Sequence, residues 1–221
     1  MPSLRIFFYD TRTILETCKR PIKWLNKARS LRRSADVVWD EFNNRPLSAK
    51  EVGTGKFSSE KAEAAIDIHF NSLLLYSLSA ECALKGLIIK NDPSSVLFKT
   101  TMNGSGELID AEITKLGSTS FDTHNLERLA EIMGMLKPGD RPELRELLAF
   151  CTHCIQWLGR YPIPLDSASD FIPRGKIPGA AFGHYFRDFM DPFLDEVMSK
   201  LEVAPDHLLA PAQTVPPGAP N

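Results

Sequence analysis

Cysteines at paired, framework-like intervals are absent from these 221 residues. The four present, Cys18, Cys82, Cys151 and Cys154, keep no such spacing. That excludes a small disulfide-stapled domain and points to a reducing compartment, so cytoplasmic residence is the expectation. A continuous apolar run near the start is missing too. Arg5, Asp10 and Arg12 interrupt Ile6, Phe7 and Phe8, and neither a signal peptide nor a membrane span is expected there. Also lacking are a phosphate-cradling glycine loop, Gly-x-Ser-x-Gly, His-Glu-x-x-His and a paired-carboxylate signature, so the common enzyme templates fail. No segment alternates polar and apolar residues over a strand length, and no repeat recurs at a fixed period. These absences predict an all-α protein with no cofactor.

What is present is ordinary globular material, with 43% hydrophobic and 24% charged residues, enough for one sizeable core. The net charge of −2 hides an asymmetry. The stretch from Arg5 to Arg33 carries nine basic residues against only Asp10 and Glu16. Two uses fit such a segment: it can attract phosphate, or it can cover an acidic surface of its own domain or of a partner subunit. The chain divides into a basic N-terminal arm over 1–21, a helical bundle over 22–203 and a proline-rich tail over 204–221 that can bury little.

Within the bundle, Leu25, Ala28, Leu31, Ala35, Val38, Trp39 and Phe42 recur at helical spacing and predict an amphipathic helix over 22–43. The next helix, from Ser58 to Asn91, is apolar on nearly every side, as a helix enclosed by others must be. It is expected to be the axle of the core. The stretch from Asn91 to Asp122 reads as a loop containing one short helix around Leu108, Ile109, Ile113 and Leu116. Thr123 is placed to cap a further helix, and Pro142 opens another that runs to Leu158 and stops at Gly159. Prolines 162, 164, 173 and 178 keep the following stretch extended. A last helix carries Phe182, Tyr185, Phe186, Phe189, Phe193, Val197 and Leu201, with Pro192 kinking it or starting its second half.

Four features could carry chemistry. Glu81 and Lys85 stand at i and i+4 inside the apolar helix, where each charge needs a partner; an ordinary helical ion pair is the plainer reading. His124 sits at a helix start, where backbone amides favour anions and an imidazole can move protons, or simply pack. Arg160 and Tyr161 follow a helix end, where a guanidinium can fork onto carbonyls, onto Glu81 or onto a phosphate. Cys151, His153 and Cys154 suggest a metal cluster, but positions i and i+3 share a helix face while i+2 points away. No metal site is expected.

Three motifs in order, Ala80-Glu81-Cys82-Ala83-Leu84-Lys85-Gly86-Leu87, His124-Asn125-Leu126-Glu127 and Gly159-Arg160-Tyr161-Pro162, give a chain that resembles the HEPN superfamily over about Leu25 to Leu201. The resemblance implies an up-and-down bundle of four to five helices around a long buried central helix. It also implies frequent homodimerisation and a place in defence, toxin-antitoxin or RNA-processing systems, often beside a nucleotidyltransferase or an antitoxin partner. Many members are metal-independent ribonucleases that use an Arg, four to six residues and a His. Here Arg145 and His153 have seven residues between them, and Arg160 meets no histidine until His184. The expected function is therefore a non-catalytic module that dimerises and binds a partner, a nucleotide or RNA, away from membranes. A ribonuclease toxin with displaced catalytic residues is the alternative, and a nucleic-acid adaptor driven by the basic arm is a third. Glu81, Lys85, His124, Arg160 and Tyr161 are the candidate polar cluster.

Overall fold

A computed structural model of the chain describes residues 11–44, 59–120, 123–137, 139–158 and 184–202. The proline-rich tail, the stretch from Gly159 to Gly183 with Arg160 and Tyr161, and the first ten residues lie outside them.

The fold is mostly helical. Helix α1 spans Thr11–Cys18, inside the segment read as a basic arm, and packs on the sheet and on α2. Helix α2 spans Pro21–Asn44 and buries Leu25, Ala28, Ala35 and Trp39, the stripe that the three-to-four spacing picked out. Helix α3 spans Ser59–Asn91. Seven consecutive α3 residues, Ala83 to Ile89, are all buried, which two turns of helix achieve only when enclosed on every side. The stretch Asp67–Asn91 is long and apolar enough to cross a bilayer by composition, and 78% of that window is buried inside the fold.

Paired residues set the directions. Ala28 meets Ser79, Asp36 meets Tyr76 and Trp39 meets His69, so α2 runs antiparallel to α3. The last helix, α6 (His184–Leu201), packs Phe186 on Tyr76 and Leu201 beside Gly86, and so runs parallel to α3. Pro192 lies within α6 as one continuous element rather than dividing it. Trp39, Tyr76 and Phe186 form an aromatic knot where the three helices meet, with Trp39 and Phe186 stacked at 5.7 Å.

Between Val96 and Ser120 the expected short helix is replaced by a three-stranded antiparallel meander, so the fold is not purely α. Strands β1 (Val96–Met102), β2 (Leu108–Leu116) and β3 (Thr119–Ser120) are neighbours in that order. The pairing steps from Leu97↔Lys115 to Phe98↔Ile113 and from Thr101↔Asp110 to Met102↔Leu108, leaving Thr114 and Ile109 as extra residues. These bulges break the two-residue alternation, so Ile109, Ile113 and Leu116 fall at intervals of four and three that imitate a helix. In the five-residue turn, the Asn103 side chain accepts from the N–H groups of Ser105 and Glu107. Val96 and Leu116 seat the sheet on the core.

Helix α4 (Leu126–Ile132) and helix α5 (Pro142–His153) follow, and α5 continues as a π-helical turn over Cys154–Leu158. The cap of α4 is Asn125, whose side chain accepts from the Arg128 N–H, and not Thr123. Thr123 accepts instead from the Asn125 N–H at 3.4 Å.

Gly86 marks the tightest approach in the bundle. A Cβ there would lie 2.6 Å from Cβ of Trp24 and 2.9 Å from Cδ2 of Leu201. Alanine ordinarily stabilises a helix interior over glycine by about 1 kcal/mol. Here the clash reverses the sign, and Gly86→Ala is expected to cost about 1 to 3 kcal/mol, measured as a lowered midpoint in urea unfolding.

Candidate functional site

Helix α3 carries the charges that the sequence singled out, and its enclosure makes them expensive. Glu81 is 8% exposed and Lys85 3%. Lys85 Nζ donates to Glu81 Oε1 at 2.6 Å, one turn apart on the helix. The other oxygen, Oε2, lies 3.1 Å from Nδ1 of His124. The structure thus brings Glu81, Lys85 and His124 together, while Arg160 and Tyr161 are outside the described residues.

His124 reaches Glu81 because the segment before α4 is pinned on the neighbouring helix. The hydroxyl of Thr152 on α5 accepts from the Leu126 N–H at 3.1 Å and donates to the Leu148 carbonyl. Helix α4 has only seven residues and its first turn is closed by Asn125, so the anion-binding helix start expected at His124 is not what this element offers. What His124 faces is a carboxylate.

Arg145 on α5 is the residue that sequence reasoning undervalued. Its Nη1 donates to Glu127 at 2.6 Å and to Glu131 at 2.8 Å, both on α4. Its Nε donates to the Asp140 carbonyl and its Nη2 to the Lys137 carbonyl. The hydrogen bonds from Arg145 hold the Glu131 carboxyl below its ordinary range. Glu127 and Glu131, at i and i+4 on a short helix facing one guanidinium, were the signal available in the sequence. Arg145 is therefore committed to clasping α4 onto α5. His153, eight residues on, is half-buried at the end of α5.

The arginines of α2 are largely spent as well. Arg29 pairs with Glu202, while Arg32 pairs with both Asp191 and Asp195 of α6. Arg187 of α6 bridges Asp36 of α2 and Asp191, and the Tyr76 hydroxyl donates to Asp36 at 2.6 Å. Burial, then the bond to Asp36, push the Tyr76 hydroxyl well up from its ordinary value. Of the two uses for the basic stretch, this part covers an acidic face of its own fold.

The cysteines are core thiols. Cys151 and Cys154 are fully buried, and burial pushes Cys151 up to about 12 and Cys154 well above the ordinary thiol value. Cys82, beside Glu81, is pushed up to about 11, again chiefly by burial. A metal ligand must be a thiolate, which this environment opposes. Among the described residues no group of three or more His, Cys, Asp or Glu side chains is arranged to hold a metal ion.

Arranged this way, the cluster holds a buried carboxylate between an ammonium and an imidazole. It ties α3 to the start of α4 rather than presenting a base to solvent. No family model, curated protein or solved structure matches the chain.

Two outcomes follow from this site. Lys85→Met leaves Glu81 as a buried carboxylate without its ammonium and is expected to cost about 3 to 5 kcal/mol in chemical unfolding, whereas the Glu81→Gln, Lys85→Met double variant loses less. Thiols whose folded value lies above the unfolded value of about 8.5 bind their protons more tightly in the native state. Their contribution to stability is complete below that pH and disappears as pH rises toward 12, the value to which Cys151 is pushed. Unfolding midpoints measured from pH 7 to pH 11 should fall above about pH 9, and fall less steeply in Cys151→Ala.

Proposed function

We propose that this chain is a HEPN-like helical module that works by binding rather than by catalysis, as a homodimer or docked on a partner. The observation that carries the reading is the occupation of Arg145. In the ribonucleases that the chain resembles, an arginine ahead of a histidine must face a phosphate. Here all three nitrogens of that guanidinium donate to Glu127, Glu131 and two backbone carbonyls inside the fold. The one candidate base with described geometry, His124, is turned onto Glu81. An arginine committed to neighbouring carboxylates is not free to stabilise the charge of a phosphorane.

The same resemblance supports cytoplasmic residence and a partner such as a nucleotidyltransferase or an antitoxin in a defence setting. RNA or a nucleotide is the ligand class that goes with it. The pairing of Arg29 and Arg32 with acids of α6 favours a protein partner over a nucleic acid for that face.

The test is an RNA cleavage assay with chelator present, over pH 5 to 9, beside a mass measurement by light scattering. We expect intact RNA and a dimer mass. Metal-independent cleavage that His124→Ala abolishes, with the circular dichroism spectrum unchanged, would return the chain to the ribonucleases.

A further inference from the structure

The cleft where the start of α5 crosses α6 has no part in the cluster around Glu81. It encloses about 300 Å³, at the small end of the range for ligand pockets. Its floor is hydrocarbon, made by Leu144 of α5 and by Phe189, Pro192 and Phe193 of α6. Its rim is acidic. Glu143 stands on the α5 side and Asp188 on the α6 side, and neither makes an ion pair among the described residues. The third carboxylate, Glu196, is neutralised by Arg141 at 3.1 Å, which closes one wall without adding charge. Pro192 has no N–H for the carbonyl of Asp188 one turn earlier, so the α6 wall also carries a backbone acceptor without its helical donor.

We propose that this cleft binds a linear aliphatic diamine or polyamine. Charge complementarity selects the ligand class. Two unneutralised carboxylates on opposite helices call for two ammonium groups, and the floor between them calls for a methylene chain joining them. The rings of Phe189 and Phe193 add faces on which an ammonium or its neighbouring methylenes can rest. A monoamine satisfies only one side, and an anion is repelled by the rim. A bulky aromatic cation exceeds what so small a cleft can enclose. The site does not depend on the binding module proposed above, since it uses none of the same residues.

The experiment is calorimetric titration of the full chain with 1,4-diaminobutane and with spermidine at low ionic strength. We expect saturable one-to-one binding, with n-butylamine about tenfold weaker or more. Glu143→Gln and Asp188→Asn, both at exposed positions, should each weaken binding by about three- to tenfold with the fold intact by circular dichroism. Asp110→Asn on the β1–β2 hairpin removes the same charge elsewhere and should change nothing. Absence of saturation up to about 10 mM would overturn the proposal. So would equal binding of the monoamine, or a loss in Asp110→Asn matching that in the rim variants, which would mean general attraction to an acidic surface.

Discussion

A carboxylate and an ammonium inside an enclosed helix are tolerated only when every charge-bearing atom has company, because the cost of stripping their water is several kilocalories per ion. Lys85 answers one oxygen of Glu81, and the other must be answered from outside α3. His124 does so, and its position fixes where the chain re-enters the bundle after the sheet. Thr152 then holds the Leu126 amide, and Arg145 holds two carboxylates of α4 and the turn that leads into α5. The half of the molecule that follows the sheet is thus arranged around a need that originates in one turn of α3.

The opposite side of α3 is organised by packing. Gly86 lets α2 and α6 close on the axle at one end, and Trp39, Tyr76 and Phe186 fill the wider space at the other. The polar atom this knot introduces, the Tyr76 hydroxyl, is met by Asp36, which Arg187 meets in turn. Charge on the three helices is consumed in holding them to one another. That is why a basic stretch in the sequence does not become a basic surface along this part of α2.

The helices were legible because each one's burial follows from a single period. The α2 stripe and the all-round apolarity of α3 both survive in the folded chain, and α3 begins within a residue of Ser58. The sheet was not legible, since two bulged residues turn a strand's alternation into the three-and-four rhythm of a helix. At the site, the isolation of Glu81 and Lys85 in apolar sequence was a sufficient signal that they pair. Their approach to His124 depends on a turn of chain that no local pattern records. Arg145 was weighed only by its distance from a histidine along the chain. Its partners, Glu127 and Glu131, lie on a different helix, and periodicity says nothing of what faces what across two elements.

The apolarity that makes α3 a good axle also makes it dangerous while it is alone. As a chain emerges from a ribosome, residues 67–91 would have the length and greasiness to enter a lipid bilayer or to cluster with other nascent chains. Helix α2 is synthesised first and forms the antiparallel neighbour of α3, so a cover for one flank is waiting before the axle is complete. The other flanks come from α4, α5 and α6, all later in the sequence. There is consequently an interval in synthesis during which half of α3 lacks its walls, and Glu81 and Lys85, charges in the middle of the greasy run, discourage its loss to a membrane in that interval.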